Sequence, residues 1–131
     1  FADKKKVIVT TSQRSSVESA KLYAKQAVES VFLLAGAEVV HSDGYPGWAP
    51  NPDSLLLKRT VESYERLFGV EPKVKAVHAG LECGLFLEKY PHLEMVSFGP
   101  TLRGVHSPDE RLEISTVDKF WLLLKEVVKS M

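Results

Sequence analysis

The sequence predicts an α/β fold, and three observations carry that prediction. Segments with apolar residues at three-and-four spacing alternate with short β-branched runs. The amphipathic segments have start and stop residues of their own. A dense cluster of turn formers at residues 43–52 divides the sequence, leaving a β-α-β piece before it and an α-β-α-β-α piece after it.

Residues 6–12 are β-branched around Val7-Ile8-Val9-Thr10-Thr11 and read as a strand. Ser15 and Glu18 have the spacing of a capping box, which opens a helix. Val17, Ala20, Ala24, Ala27, Val28, Val31 and Ala35 give that helix an apolar face, and Gly36 stops it. Residues 38–41 read as a second strand. In the turn-rich stretch, Tyr45 and Trp48 can pin the linker against a neighbour.

Asn51 is placed to cap the next helix, with Pro52 at its first position. Leu57, Val61, Tyr64 and Phe68 form its expected buried stripe, and Gly69 ends it. Residues 73–79 read as a strand with Val74 and Val77 inward, 84–90 as a helix closed by Pro91, and 93–98 as a further strand. Ser115 is a candidate cap for a last helix with Val117, Phe120, Trp121, Leu124 and Val128 on its apolar face. Helices between strands imply parallel neighbours with right-handed crossovers. Two strands in the second piece are too few for a covered sheet, so partner strands are expected elsewhere. A chain that starts at Phe1 rather than Met fits the same expectation of a longer parent.

The 131 residues carry a formal net charge of zero, with basic residues dispersed apart from Lys4-Lys5-Lys6. A nucleic-acid groove calls for a basic excess, so no nucleic-acid partner is expected. No apolar run approaches the ~18 residues of a membrane span, and no signal peptide is visible. The single Cys83 excludes an internal disulfide and fits a reducing compartment.

The chemistry is expected between residues 77 and 110, where two of the four histidines sit beside glycines just past β-type runs. Loops at the carboxyl ends of strands are where open α/β sheets build sites. His106 lies in a Gly- and Pro-rich loop with Ser107, Asp109 and Glu110, and reads as a metal ligand or as a surface histidine in a turn. One histidine without a spaced partner is not a metal site. His78 reads as a pocket residue or as a backbone-bonded histidine. Glu82 is left open between an acid, an orienting group and a solvated residue, and Cys83 reads as a small buried thiol. Arg14, between a strand and a helix start, can clamp a substrate carboxylate or be solvated. His41 and His92 read as structural, and no Ser-His-Asp spacing, phosphate loop or Cys-x-x-Cys is present.

Four segments together resemble the aminoacyl-histidine dipeptidases, carnosine-cleaving members of the di-zinc exopeptidases. They are Ser12-Gln13-Arg14-Ser15-Ser16, Gly44-Tyr45-Pro46-Gly47-Trp48 with Pro50-Asn51-Pro52, His78-Ala79-Gly80-Leu81-Glu82-Cys83-Gly84, and residues 99–110 from Gly99-Pro100 through His106 to Glu110. The resemblance implies a fold made of two parts. Residues 1–44 would be the β-α-β end of an α+β lid or dimerisation domain. Residues 45–131 would be the C-terminal part of a zinc-exopeptidase catalytic domain with a mixed sheet.

The resemblance also implies roles. His106 matches the last metal ligand, Arg14 the lid arginine that binds the substrate's C-terminal carboxylate, and Gly80 a backbone position lining the substrate pocket. The catalytic acid/base groups and the remaining ligands of the two zinc ions are expected upstream of Phe1, so this chain is expected to be inactive alone. The implied reaction is hydrolysis of Xaa-His dipeptides by water activated between two zinc ions, in a cytoplasmic homo-oligomer. Other exopeptidases or deacylases of the same family, and a non-catalytic dimerisation module, are the alternatives.

Overall fold

The computed structural model describes residues 6–77 and 82–131. It has four α-helices, a short 3₁₀ turn and one two-stranded ladder among the described residues, and it matches the α/β expectation with helix predominating. The chain divides into two compact units, one from Phe1–Pro50 and Ala76–Pro91, the other from Asn51–Lys75 and His92–Met131. The first crossing between them falls at Pro50 and Asn51, inside the turn-rich stretch.

In the first unit, α1 spans Glu18–Leu34. It does not start with the expected capping box. Ser15 Oγ accepts from the Val17 amide at 3.1 Å, a local turn, and the N-cap Val17 has no side-chain bond. Glu18 points elsewhere, accepting from the Gly47 amide at 2.8 Å and pairing with Lys21 at 2.8 Å. The predicted stop holds. Gly36 adopts φ 76°, its amide donates to Leu33 O and that of Ala37 to Phe32 O, which satisfies the last carbonyls in a Schellman motif. A shorter helix, α2, spans Glu82–Lys89, starting two residues before the predicted segment. Its Gly84 is buried because a Cβ there would lie 2.7 Å from Pro46 O.

In the second unit, α3 spans Leu55–Phe68 and α4 spans Val117–Lys129, and these two pack on each other. The N-cap of α3 is Ser54, whose Oγ accepts from Leu57 N at 3.2 Å, not the expected Asn51. Asn51 instead forms an Asx turn, accepting from Asp53 N at 3.1 Å. The Glu94 carboxylate takes the next two free amides, Leu55 N at 3.0 Å and Leu56 N at 2.9 Å. Gly69, at φ 68°, ends the helix as predicted.

The core of this unit is small: Leu123 and Val127 of α4 are buried, as are Thr60 and Ser63 of α3. The expected apolar face of α4 is therefore rotated, since Trp121 and Val128 are exposed. Short Ser63 and Thr60 side chains let two helices approach closely, and Thr60 satisfies its hydroxyl on Leu56 O at 2.7 Å. Around that seam, Arg66 pairs with Glu126 at 2.8 Å. Arg59 Nη1 donates to Ser130 O at 2.6 Å, placing a cation on the carbonyl end of α4. Lys119 Nζ donates to Tyr64 Oη at 2.6 Å and lies 4.6 Å from the centroid of the Phe68 ring. A 3₁₀ turn at Ile114–Thr116 leads into α4, so the expected cap Ser115 bonds Glu113 Oε1 instead.

The strand expectations fare differently. Among the described residues, the runs 6–12, 38–41, 73–77 and 93–98 form no ladder; Val7 makes an isolated bridge. Residues 78 and 79 lie outside the described residues. A strand is stable when neighbouring backbone groups accept and donate its hydrogen bonds. Side chains hold 93–98 instead: Glu94 sits on the start of α3, and the Phe98 ring lies 5.8 Å from that of Phe120 in α4. The ladder that does form joins β1 (Leu102–Arg103) and β2 (Arg111–Leu112) in antiparallel pairing, around the His106 loop where no strand is expected from the sequence.

Candidate functional site

That ladder carries the loop of His106. Leu102 pairs with Leu112 and Arg103 with Arg111, and the Glu113 amide donates to Thr101 O at 2.9 Å. Arg103 also pairs with Glu113 at 3.1 Å, tying the two arms together. Thr116 Oγ1 accepts from the Thr101 amide at 2.9 Å and donates to Glu113 O, anchoring the base of the hairpin to the start of α4.

Residues 104–110 close the hairpin through a network of short bonds. Gly104 takes φ 61°, and Ser107 returns to its carbonyl twice, through the hydroxyl at 2.7 Å and the amide at 3.1 Å. Ser107 Oγ also accepts from the Asp109 amide at 3.2 Å. A Cβ on Gly104 would meet Asp109 O and Ser107 Oγ, each at 3.1 Å. In the middle stands His106 at φ 65°, the single non-glycine with positive φ among the described residues. That conformation costs an L-residue roughly 1–2 kcal/mol, although histidine tolerates it better than most. The Glu110 carboxylate offsets part of it by accepting from the His106 amide at 3.1 Å. The imidazole itself is exposed and has no hydrogen bond among the described residues. Its backbone is fixed, and no described residue occupies its ring nitrogens.

This fits one metal ligand and no more. Among the described residues no three His, Cys, Asp or Glu side chains converge on a point that would hold a cation. Glu110 is occupied with the His106 amide, and Asp109 shares no bond with the imidazole. A metal held here needs its other donors from outside the described residues.

Arg14 lies in the first unit and His106 in the second. Arg14 is exposed in the segment before α1, with no hydrogen bond or ion pair among the described residues. Gly80 and His78 lie outside the described residues. Glu82 is the exposed first residue of α2, and Cys83 is half-buried and unpaired. His92 is exposed in a turn, while His41 Nε2 lies 3.2 Å from Glu29, and among the described residues neither belongs to a group that could hold a metal.

Two carboxylates outside the expected site prove to be anchors. Lys21, and then the Gly47 amide, hold the Glu18 carboxyl below the usual range. The Leu56 and Leu55 amides do the same for Glu94. Glu18 had a local signal, its capping-box spacing, that pointed to the wrong partner. Glu94 had none, because its partners are 38 and 39 residues away in the chain.

The sequence profile of peptidase family M20/M25/M40 matches residues 3–130. A cytosol non-specific dipeptidase of Escherichia coli (strain K12) is 44% identical over 118 residues, 90% of this chain and 24% of that protein. The crystal structure of aminoacylhistidine dipeptidase from Vibrio alginolyticus superposes with a TM-score of 0.72 at 42% identity, covering 89% of this chain and 24% of that one. The chain thus spans about a quarter of the length of the relatives it matches.

Proposed function

This chain belongs to peptidase family M20/M25/M40, and from that premise we propose that it serves a zinc-dependent dipeptidase that hydrolyses Xaa-His dipeptides such as carnosine. The activity is assigned to the whole protein of which these residues form a part. The observation that carries the reading is His106, a histidine held in the left-handed region with its backbone bonded and its ring free. Similarity to two dipeptidases supports the reaction class.

In this reading residues 1–44 belong to a lid and 45–131 to the catalytic domain. His106 supplies one imidazole to the metal centre, and the Glu110 bond keeps the loop from reorienting that ring. When bound, two zinc ions supply Lewis-acid polarisation and a water acidic near neutrality. Arg14 pairs through two parallel hydrogen bonds with the substrate's terminal carboxylate. That pairing makes the enzyme an exopeptidase, because an internal peptide bond presents no carboxylate there. Gly80 leaves room for the dipeptide backbone. None of the catalytic acid/base work is assigned to these residues.

A cytoplasmic location is supported by the similarity to a cytosol dipeptidase of Escherichia coli and by the single, unpaired Cys83. We assign no nucleic-acid or membrane partner, in line with the zero net charge. A homo-oligomer is supported by exposed apolar residues such as Val7 and Val40; light scattering after size exclusion tests it, and a monomer at high concentration removes it.

The deciding assay compares β-alanyl-histidine with dipeptides lacking histidine and with N-acyl amino acids, using the purified whole protein. Fastest turnover of Xaa-His dipeptides is expected. Equal turnover of all dipeptides would reduce the reading to a non-specific dipeptidase. Preference for N-acyl amino acids would make it a deacylase, and no hydrolysis at all a binding module.

A further inference from the structure

The turn Tyr45-Pro46-Gly47 in the first unit is gripped from two sides. On one side, the Gly47 amide donates to Glu18 Oε2 at 2.8 Å, and Lys21 Nζ bridges that same oxygen at 2.8 Å and Tyr45 O at 2.7 Å. The backbones touch as well: a Cβ on Gly47 would lie 2.7 Å from Ser16 O and 3.2 Å from Glu18 N. On the other side, Gly84 of α2 meets Pro46 O so closely that a Cβ would stand 2.7 Å away. Both glycines are needed for close approach of backbone to backbone, not for an unusual φ.

Ser16, the residue against which Gly47 is pressed, is two residues after Arg14. Ser15, between them, turns its hydroxyl to the Val17 amide. The segment from Arg14 into α1 is therefore tied to the turn by two hydrogen bonds to backbone and one backbone contact, and the Glu18–Lys21 ion pair within α1 holds the two side chains that make those bonds. Arg14 contributes nothing to that fastening and stays free at its edge.

We propose that Glu18, Lys21 and Gly47 are positioning residues that fix the backbone carrying Arg14, and thereby set the enzyme's preference for substrates that end in a free carboxylate. The inference rests on the reading of Arg14 as the carboxylate ligand. A planar guanidinium grips a carboxylate by two bonds at once, so it loses advantage when its backbone wanders by more than about 10–20°. A loosened segment must also be ordered at each binding event, which weakens binding without touching the bond-breaking step. Glu18 acts from a distance through Gly47 and Ser16, and it touches no substrate.

The test uses the whole protein and two probes, β-alanyl-histidine and its C-terminal amide. The readout is the ratio of kcat/KM for acid over amide. Both rates scale with the amount of folded enzyme, so the ratio is blind to a variant that folds poorly. Arg14→Ala is expected to lower the ratio by about tenfold or more. Glu18→Ala and Gly47→Ala are expected to lower it by about three- to tenfold, through KM for the acid. Glu18→Gln keeps an acceptor for the Gly47 amide and is expected to restore most of the ratio. If Arg14→Ala collapses the ratio while Glu18→Ala and Gly47→Ala leave it at the wild-type value, the positioning role is wrong and the Arg14 reading stands. If Arg14→Ala leaves the ratio unchanged, the Arg14 reading is wrong and the positioning role goes with it.

Discussion

The His106 amide donates to the Glu110 carboxylate at 3.1 Å across a loop in which His106 itself sits at φ 65°. The bond engages the carboxylate with the backbone, and the imidazole has no partner among the described residues. A histidine serving only as turn filler gains nothing from that arrangement, whereas a ligand gains a fixed origin for its ring.

Removing the acceptor should therefore weaken metal binding without deleting a ligand. Glu110→Ala in the whole protein is expected to lower metal affinity by about tenfold, with Glu110→Gln closer to wild type. Competition with a zinc chelator measures it; unchanged affinity in Glu110→Ala would mean that the loop holds His106 without this bond.

Gly104 supports the same loop. An alanine there combines a positive φ with contacts of 3.1 Å to Asp109 O and Ser107 Oγ. Gly104→Ala is expected to cost about 1–2 kcal/mol, read from urea unfolding.

The α3–α4 seam rests on few buried side chains, so each should count. Leu123→Ala is expected to destabilise by about 2–3 kcal/mol, toward the low end for buried leucine because so small a core can partly collapse. Trp121→Ala, on an exposed side chain, should cost far less. Denaturant midpoints of the two variants check the order, and a reversed order would restore the face expected from the sequence.

Acid should loosen both anchors. The carboxyls of Glu18 and Glu94 are held below their ordinary range when folded. Their contribution is thus fully present above the unfolded glutamate value of about 4.3 and is lost as pH falls below it through the folded values. Melting temperature is expected to drop as pH falls below about 4.3, and less steeply in Glu94→Gln, which starts lower. Identical pH profiles would remove Glu94 as an anchor.

Much of the helical skeleton was legible in the sequence, because its signals are local. Gly36 and Gly69 stop their helices where the pattern placed them. Starts were less legible: Asn51 and Ser54 are both good caps, and only the Glu94 carboxylate, distant in sequence, favours the later one. The faces of α4 were misread because Ser63 and Thr60, polar by composition, form the buried seam once their hydroxyls are bonded. The β-branched runs carry strand propensity, but propensity does not supply a neighbour, and ladders are made by neighbours. At the site, the loop and His106 were evident from glycine and proline content, while its positive φ and the engagement of Glu110 came only from the fold.

The most direct test is the zinc content and β-alanyl-histidine hydrolysis of the whole protein carrying His106→Ala. About two zinc ions per active site are expected in the wild type, with loss of about one in the variant and loss of nearly all hydrolysis. Full metal content together with the wild-type rate would contradict it, and His106 would then be a histidine in a well-built turn.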